Sequence, residues 1–92
     1  MRILEKHVFC LKDDIRYALF EEGGVIFQLK DRVAHEINRT GASILVLLDG
    51  ERDVGSLIRM IAREYGREEK AIREDVMDFL SNLMKRGWAY VR

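Results

Sequence analysis

The 92 residues include 48% hydrophobic and 35% charged side chains, which is typical of one small soluble globular domain spanning residues 1–92. Sixteen lysines and arginines balance sixteen aspartates and glutamates, so no net positive charge favours a nucleic acid or an anionic membrane as partner. One cysteine excludes an intrachain disulfide, and no apolar run reaches the ~18 residues that a membrane-spanning helix needs. We therefore expect a cytoplasmic protein.

Short segments rich in aromatic and β-branched residues come first in the chain: HVFCL, RYALF, VIFQL and VAHEI. The pair Gly23-Gly24 predicts a tight turn between RYALF and VIFQL, because glycine adopts positive φ without steric cost. Within VIFQL, Val25, Phe27 and Leu29 share one face of the predicted strand. A second turn leads into VAHEI. These segments predict an antiparallel meander with an open edge, in which HVFCL has no assigned place.

From Asn38 onward the apolar positions recur at helical spacing, which predicts three helices followed by a short extended segment, WAYV. Asn38 or Thr40 can cap the first helix and Asp53 the second, because such short side chains accept hydrogen bonds from unpaired backbone N–H groups. Gly50 is suited to the left-handed conformation after the first helix. The third helix is predicted over residues 68–86, with acidic residues at its start and basic residues at its end.

This order of elements predicts an α+β, winged-helix-like fold, with an N-terminal three-stranded antiparallel β-meander followed by a three-helix bundle. The hinge DGERD joins a glycine that ends one helix to an aspartate that caps the next. So short a connection is expected to pack the first two helices against each other at a steep angle.

Catalytic and metal-binding patterns are weak in this sequence. His7 and His35 lie in separate predicted strands, without a partner at metal-ligand spacing. Cys10 lies in an apolar strand, where a buried and unreactive thiol is expected. Asp75 and Asp78 are better explained as exposed helix charges than as paired catalytic carboxylates. We therefore predict that the protein is not an enzyme and uses no metal or cofactor.

A winged-helix fold raises the alternative of a regulatory domain that binds DNA or another protein. The helix that would enter the major groove begins Arg67-Glu68-Glu69-Lys70 and continues with further carboxylates. No basic stripe compensates for these carboxylates, which would face phosphates. We therefore expect no nucleic-acid partner, while a winged-helix interaction domain of another kind stays open.

The run INRTGASILVLLDGERDV, at residues 37–54, resembles the PqqD family (pyrroloquinoline quinone biosynthesis protein D). Members of that family commonly read L-N-x-T-x-A-x-I-x-x-L-x-D-G-x-x-T-V at this place. The pattern D-V-x-x-F-L-x-x-L-x-x-x-G at residues 75–87 is similar to the family's ending. Ile37 stands where the family has leucine, and Asp53 stands where it has a hydroxyl residue. The resemblance covers residues 25–88, most of the chain.

The resemblance implies a non-catalytic peptide chaperone of the kind called a RiPP recognition element. Such domains bind the leader segment of a ribosomally synthesised precursor peptide and present it to a modifying enzyme, often a radical S-adenosylmethionine protein. The family binds the leader as an added strand along the third strand of the sheet, in a groove floored by the third helix. VAHEI suits this mode, because a short strand at an open edge leaves backbone N–H and C=O groups unpaired.

The predicted peptide-binding residues lie on VAHEI and on the flanks of the third helix's core stripe. Methionines on such a flank suit a groove for varied apolar side chains, because the thioether repacks easily. The sequence does not decide between a monomer and a homodimer, and it does not identify the precursor peptide. The predicted residues are Val33, Ala34, His35, Glu36 and Ile37 on the strand, and Arg73, Asp75, Met77 and Met84 on the helix.

Overall fold

Residues 2–92, which the computed structural model describes, form five strands and three helices. The central three strands form an antiparallel meander in the order β2-β3-β4, and the two outermost strands of the chain pair with each other. In chain order the elements are β1 Phe9–Leu11, β2 Ile15–Phe20, β3 Gly23–Gln28, β4 Val33–Asn38, α1 Arg39–Leu47, α2 Val54–Tyr65, α3 Glu69–Lys85 and β5 Ala89–Val91.

The predicted α+β architecture is confirmed, because a three-stranded antiparallel meander precedes three helices. The winged-helix description fits only approximately. The main sheet comes before the helices, and the strand that follows them pairs with β1 instead of joining that sheet.

Strand β1 resolves the place of HVFCL, which the sequence left unassigned. It pairs antiparallel with β5, so that Phe9 lies opposite Val91 and Leu11 opposite Ala89. Phe9 is only 1% exposed and belongs to the core. The predicted extended segment WAYV supplies β5, and the pairing joins the two ends of the described chain on one side of the helices.

The meander turns one face of β3 toward the helices, and Ile26 supplies its buried side chain at 1% exposure. Val25 and Phe27 share the opposite face, as strand alternation predicts, and both are half-buried. Leu29 lies just beyond the strand and is exposed. The core therefore lies on the other side of the sheet from the apolar face that VIFQL presents most clearly in the sequence.

The predicted helix caps are confirmed at both α1 and α2. The Asn38 side chain accepts a hydrogen bond from the Gly41 N–H at 2.8 Å, and Asp53 accepts one from the Ser56 N–H at 2.8 Å. The backbone N–H of Ser56 stabilises the charged carboxylate and so lowers the pKa of Asp53 below its usual value. Gly66, with φ of 61°, ends α2 in the left-handed conformation.

All three helices contribute to one core that also includes the β1 and β5 strands. Helix α3 lies centrally and buries one continuous stripe. The residues of this stripe, at helical spacing, are Ile72, Val76, Leu80 and Leu83.

Gly50 adopts φ of 76° in the hinge after α1, two residues beyond the Leu48 cap. We expect Gly50→Val to lower the free energy of unfolding by about 1–2 kcal/mol or more, because a β-branched residue resists the left-handed conformation. A Cβ at this position would also lie 3.3 Å from the Cys10 Sγ. Gly66→Val is the matched control, because it has a similar φ but nothing within 4 Å of the added Cβ. Urea denaturation should rank Gly50→Val as no more stable than Gly66→Val, and wild-type stability would contradict the hinge geometry.

Candidate functional site

Strand β4 is an outer strand of the meander, and its hydrogen-bonding pattern shows which backbone groups are left over. The Leu29 N–H donates to the Asp14 carbonyl at 2.9 Å, so these two residues form a hydrogen-bonded pair across β2 and β3. Hydrogen-bonded and non-bonded pairs alternate along an antiparallel ladder. The same alternation continues across the paired residues of β3 and β4. It places the backbone N–H and C=O of His35 on the side of β4 that faces β3. Those of Ala34 and Glu36 point to the open edge.

The side chains of β4 alternate in the same way. Val33, His35 and Ile37 are half-buried, whereas Ala34 and Glu36 are exposed. Of the three residues that share the inner face, His35 and Ile37 line the space between the sheet and α3. An additional strand laid along β4 would place every second side chain in that space.

A groove runs between β4 and α3, and we call it the β4–α3 groove. It contains a cavity of about 230 Å³, lined by His35 and Ile37 on one side and by Phe79, Asn82 and Arg86 of α3 on the other. Phe79 is half-buried and forms part of the apolar floor.

The groove continues past the end of β4 toward the start of α1, where a second cavity of about 260 Å³ lies. Phe79 and Asn82 line this cavity as well, which makes the two spaces continuous along α3. Gly41 forms part of its wall, and a Cβ there would lie 2.8 Å from the Phe79 ring. The carboxylates of Asp75 and Asp78 line this end of the groove.

Basic and aromatic groups form the opposite end of the groove. The Arg86 Nη1 lies 2.7 Å from the His35 Nε2, and because a guanidinium only donates, the imidazole nitrogen is the acceptor. The Arg86 guanidinium also lies 5.3 Å from the centroid of the Trp88 ring. The centroid of the His35 ring lies 5.4 Å from that of the Trp88 ring, so Trp88 packs against both His35 and Arg86.

The structure brings only some of the sequence-predicted residues together. His35, Glu36, Ile37 and Asp75 line the groove, whereas Val33 and Ala34 lie farther along β4, outside the lining of either cavity. Arg73, Met77 and Met84 lie on a different face of α3. Each is two positions away from a groove-lining residue of the same helix, and two positions correspond to a rotation of about 200° around the helix axis. Arg73 forms an ion pair with Glu5 at 2.6 Å, and both methionines pack against the core.

The sequence prediction of the site omitted four polar or aromatic residues of α3 that line the groove, namely Asp78, Phe79, Asn82 and Arg86. Asp78 was interpreted as an exposed helix charge, and Arg86 as one of the basic residues that suit the end of the helix dipole. A signal was present, since residues 75, 79, 82 and 86 recur at the spacing of one helix face. The sequence alone did not say which flank of the core stripe lies beside β4.

The other open edge of the meander belongs to β2, and it offers a different environment. Every β2 residue after Ile15 is exposed, including Tyr17, Leu19 and Phe20. A strand added there would meet exposed side chains on the existing strand, whereas a strand added to β4 would also contact α3.

Binding chemistry dominates the groove: unpaired backbone groups, an apolar floor and a charge at each end. Among residues 2–92, no group of three or more histidine, cysteine, aspartate or glutamate side chains is placed to hold a metal ion. Within the same range, no helix is both long and apolar enough to cross a membrane.

A family model described as coenzyme PQQ synthesis protein D (PqqD) matches residues 23–89, which include β3, β4, all three helices and the start of β5. The chain belongs to the PqqD family. The resemblance inferred from residues 37–54 and 75–87 is thereby confirmed.

Curated relatives of this PqqD-family chain carry the name PqqA binding protein. The one from Klebsiella pneumoniae strain 342 is 35% identical over 57 residues, which are 62% of this chain and 61% of that protein. The one from Methylococcus capsulatus is 34% identical over 53 residues, covering 58% and 55% of the two chains. The match therefore spans about three fifths of the length of these relatives.

Solved structures with this PqqD-type fold include the PqqD truncation of Methylobacterium extorquens PqqCD, described as a stand-alone RiPP recognition element. It superposes with a TM-score of 0.82 at 18% identity, covering 97% of this chain and 95% of that one. TbiB1 in complex with the TbiA(beta) leader peptide gives 0.76 at 20% identity, covering 87% and 93%. Lasso peptide synthetase B1 complexed with its leader peptide gives 0.76 at 22% identity, covering 89% and 96%. At these identities the likeness shows the shared fold.

Proposed function

We propose that this chain is a non-catalytic peptide chaperone, in which residues 1–92 act as one recognition domain. It binds the leader of a ribosomally synthesised precursor peptide by strand addition to β4 and presents it to a modifying enzyme. The observation that carries the proposal is the open edge of β4, where the N–H and C=O groups of Ala34 and Glu36 face the β4–α3 groove. The PqqA-binding relatives and the two leader-bound structures of the same fold support it.

Backbone contacts at β4 contribute to the affinity for any peptide, whereas side-chain contacts in the groove provide specificity. Two residues with free backbone groups offer up to four hydrogen bonds, each worth a net 0.5–1.5 kcal/mol or so, and none of these depends on the peptide's sequence. Selection then comes from alternate peptide side chains that enter the groove over Ile37, Phe79 and Arg86. The peptide-binding residues that we propose are therefore Val33, Ala34, His35, Glu36, Ile37, Asp75, Phe79, Asn82 and Arg86.

The enzyme partner that we propose is of the radical S-adenosylmethionine type, in pyrroloquinoline quinone biosynthesis or a related peptide-modification pathway. The family membership supports this assignment. A precursor peptide is made on ribosomes, so a chaperone that binds it before modification acts in the cytoplasm.

A solution binding measurement tests the proposed function. We expect a fluorescently labelled leader, synthesised from the precursor encoded beside the gene, to bind saturably when followed by anisotropy. A labelled 20-base-pair DNA duplex should bind no more tightly than the ~10⁻⁴ to 10⁻⁶ M typical of non-specific complexes. A duplex that binds more tightly than this in a salt-dependent way, with no binding of the leader, would contradict the proposal in favour of a DNA-binding domain.

A further inference from the structure

The charged side chains at the two ends of the β4–α3 groove are free of ion pairs within the described residues. Asp75 and Asp78 lie at the end near the start of α1, and Arg86 lies at the end near His35. All three are exposed, so a ligand could reach them. The ion pairs found in residues 2–92 join other groups, namely Arg52 with Asp49, Arg73 with Glu5, and Arg92 with Glu51.

The distance between the two charged ends of the groove is close to the length of four residues of an extended peptide. Asp78 and Arg86 are eight residues apart on α3, which is about 12 Å at a rise of ~1.5 Å per residue. An extended peptide advances ~3.4 Å per residue, so four residues span about 14 Å. Residues four apart also share a face of a strand. One peptide strand can therefore direct two side chains toward the two charged ends of the groove.

The middle of the groove combines the apolar side chains of Phe79 and Ile37 with the amide of Asn82, which lies halfway between Asp78 and Arg86 on α3. Phe79 lines both cavities, and Ile37 lies across from it on β4. A peptide side chain halfway between the two charged ones, two residues from each, would project toward this pair. An aliphatic or aromatic side chain would be the best match there, because it removes apolar surface from water.

The direction of the added strand fixes the order of the charges. Each pair of neighbouring strands in the described chain is antiparallel, and antiparallel pairing is slightly the more stable kind. A peptide antiparallel to β4 begins near Asn38, beside the two aspartates, and ends near His35, beside Arg86. The Arg39 guanidinium does not oppose a cation at the first position, because it lies over the Tyr65 ring at 5.3 Å.

We infer that the β4–α3 groove selects peptides by charge order, with the pattern Lys/Arg-x-apolar-x-Asp/Glu read from the N-terminus to the C-terminus. The acidic side chain lies opposite His35 and meets Arg86. The apolar side chain lies opposite Ile37 and packs on Phe79, and the basic side chain passes the end of β4 to meet Asp75 and Asp78. This inference rests on the proposed function and specifies the class of peptide that the site takes.

Selection from a random peptide display library on the purified full chain tests the inference separately from the proposed function. We expect enriched peptides to share the Lys/Arg-x-apolar-x-Asp/Glu order. Enriched peptides that carry no such order, or the reverse order, would overturn the inference and leave the proposed function standing. A library in which no peptide is enriched would overturn the proposed function, and the inference with it.

The affinities of two synthetic ten-residue peptides that differ only in charge order provide a second, quantitative test. Wild-type protein should bind the predicted order roughly three- to tenfold more tightly than the reversed order, since two solvent-exposed ion pairs contribute modestly. Arg86→Glu should remove or invert this preference. Lys85→Glu is the matched control, because it makes the same charge change one residue away, outside the groove lining, and should keep the preference. Equal affinity of wild-type protein for both peptides would overturn the inference.

Discussion

Ala34→Pro is expected to weaken the binding of a leader peptide by roughly tenfold or more while the domain stays folded. The alternation of hydrogen bonds directs the Ala34 N–H to the open edge, so proline removes a donor that only the added strand would use. One lost hydrogen bond accounts for up to about tenfold. The pyrrolidine ring also occupies the edge where the peptide backbone must approach. Proline is tolerated on such an edge, so the β3–β4 ladder is retained.

Two proline variants elsewhere in the sheet separate this effect from a general disturbance. Leu19→Pro makes the same change at the other open edge, since alternation directs the Leu19 N–H away from β3, and it should bind the leader as wild type does. His35→Pro removes an N–H that pairs with β3 and should lower the thermal midpoint of unfolding. Titration calorimetry with the leader measures the affinities. Wild-type affinity of Ala34→Pro, or a loss confined to Leu19→Pro, would contradict strand addition to β4.

Leu80→Ala is expected to lower the free energy of unfolding by about 2–5 kcal/mol, the largest stability change predicted for this chain. Leu80 is 0% exposed and lies in the middle of the buried stripe of α3. Its truncation removes apolar contacts and leaves a cavity that the surrounding strands and helices fill only partly. A domain of this size has a total stability of roughly 5–15 kcal/mol, so the variant should be close to unfolding at body temperature.

Urea denaturation followed by circular dichroism measures this loss, with Ser81→Ala as the control one residue away. Ser81 is half-buried and has no part in the core cluster, so its variant should stay within about 0.5 kcal/mol of wild type. Equal midpoints for Leu80→Ala and Ser81→Ala would show that α3 does not lie on the core as described.

Local features of the chain were predictable from sequence because their causes are local. The caps at Asn38 and Asp53 and the glycine at the end of α2 each depend on side chains within a few residues of the helix terminus. The β2–β3 turn depends on adjacent glycines in the same way. The pairing of β1 with β5 joins residues about eighty positions apart, and no local pattern records it.

The candidate site was also predictable only where its features depend on the local sequence. VAHEI was predicted as a strand at an open edge, and the structure places it there as β4. Three of the four predicted helix residues, Arg73, Met77 and Met84, lie outside the lining of the groove. The sequence did not show which flank of the α3 core stripe lies beside β4, because both flanks carry polar and apolar side chains. Only the packing of α3 against the sheet distinguishes Phe79, Asn82 and Arg86 from Met77 and Met84.

An amide-resolved NMR titration of the full chain with the leader peptide tests directly whether the peptide binds along β4 in the β4–α3 groove. We expect chemical-shift changes to cluster on Ala34 and Glu36 of β4 and on Phe79, Asn82 and Arg86 of α3. We also expect the amides of Ala34 and Glu36 to become protected from hydrogen exchange on binding, because each gains a partner on the added strand. Changes confined to β2, to α2 or to the β1–β5 pair would contradict a peptide-binding site at the β4–α3 groove.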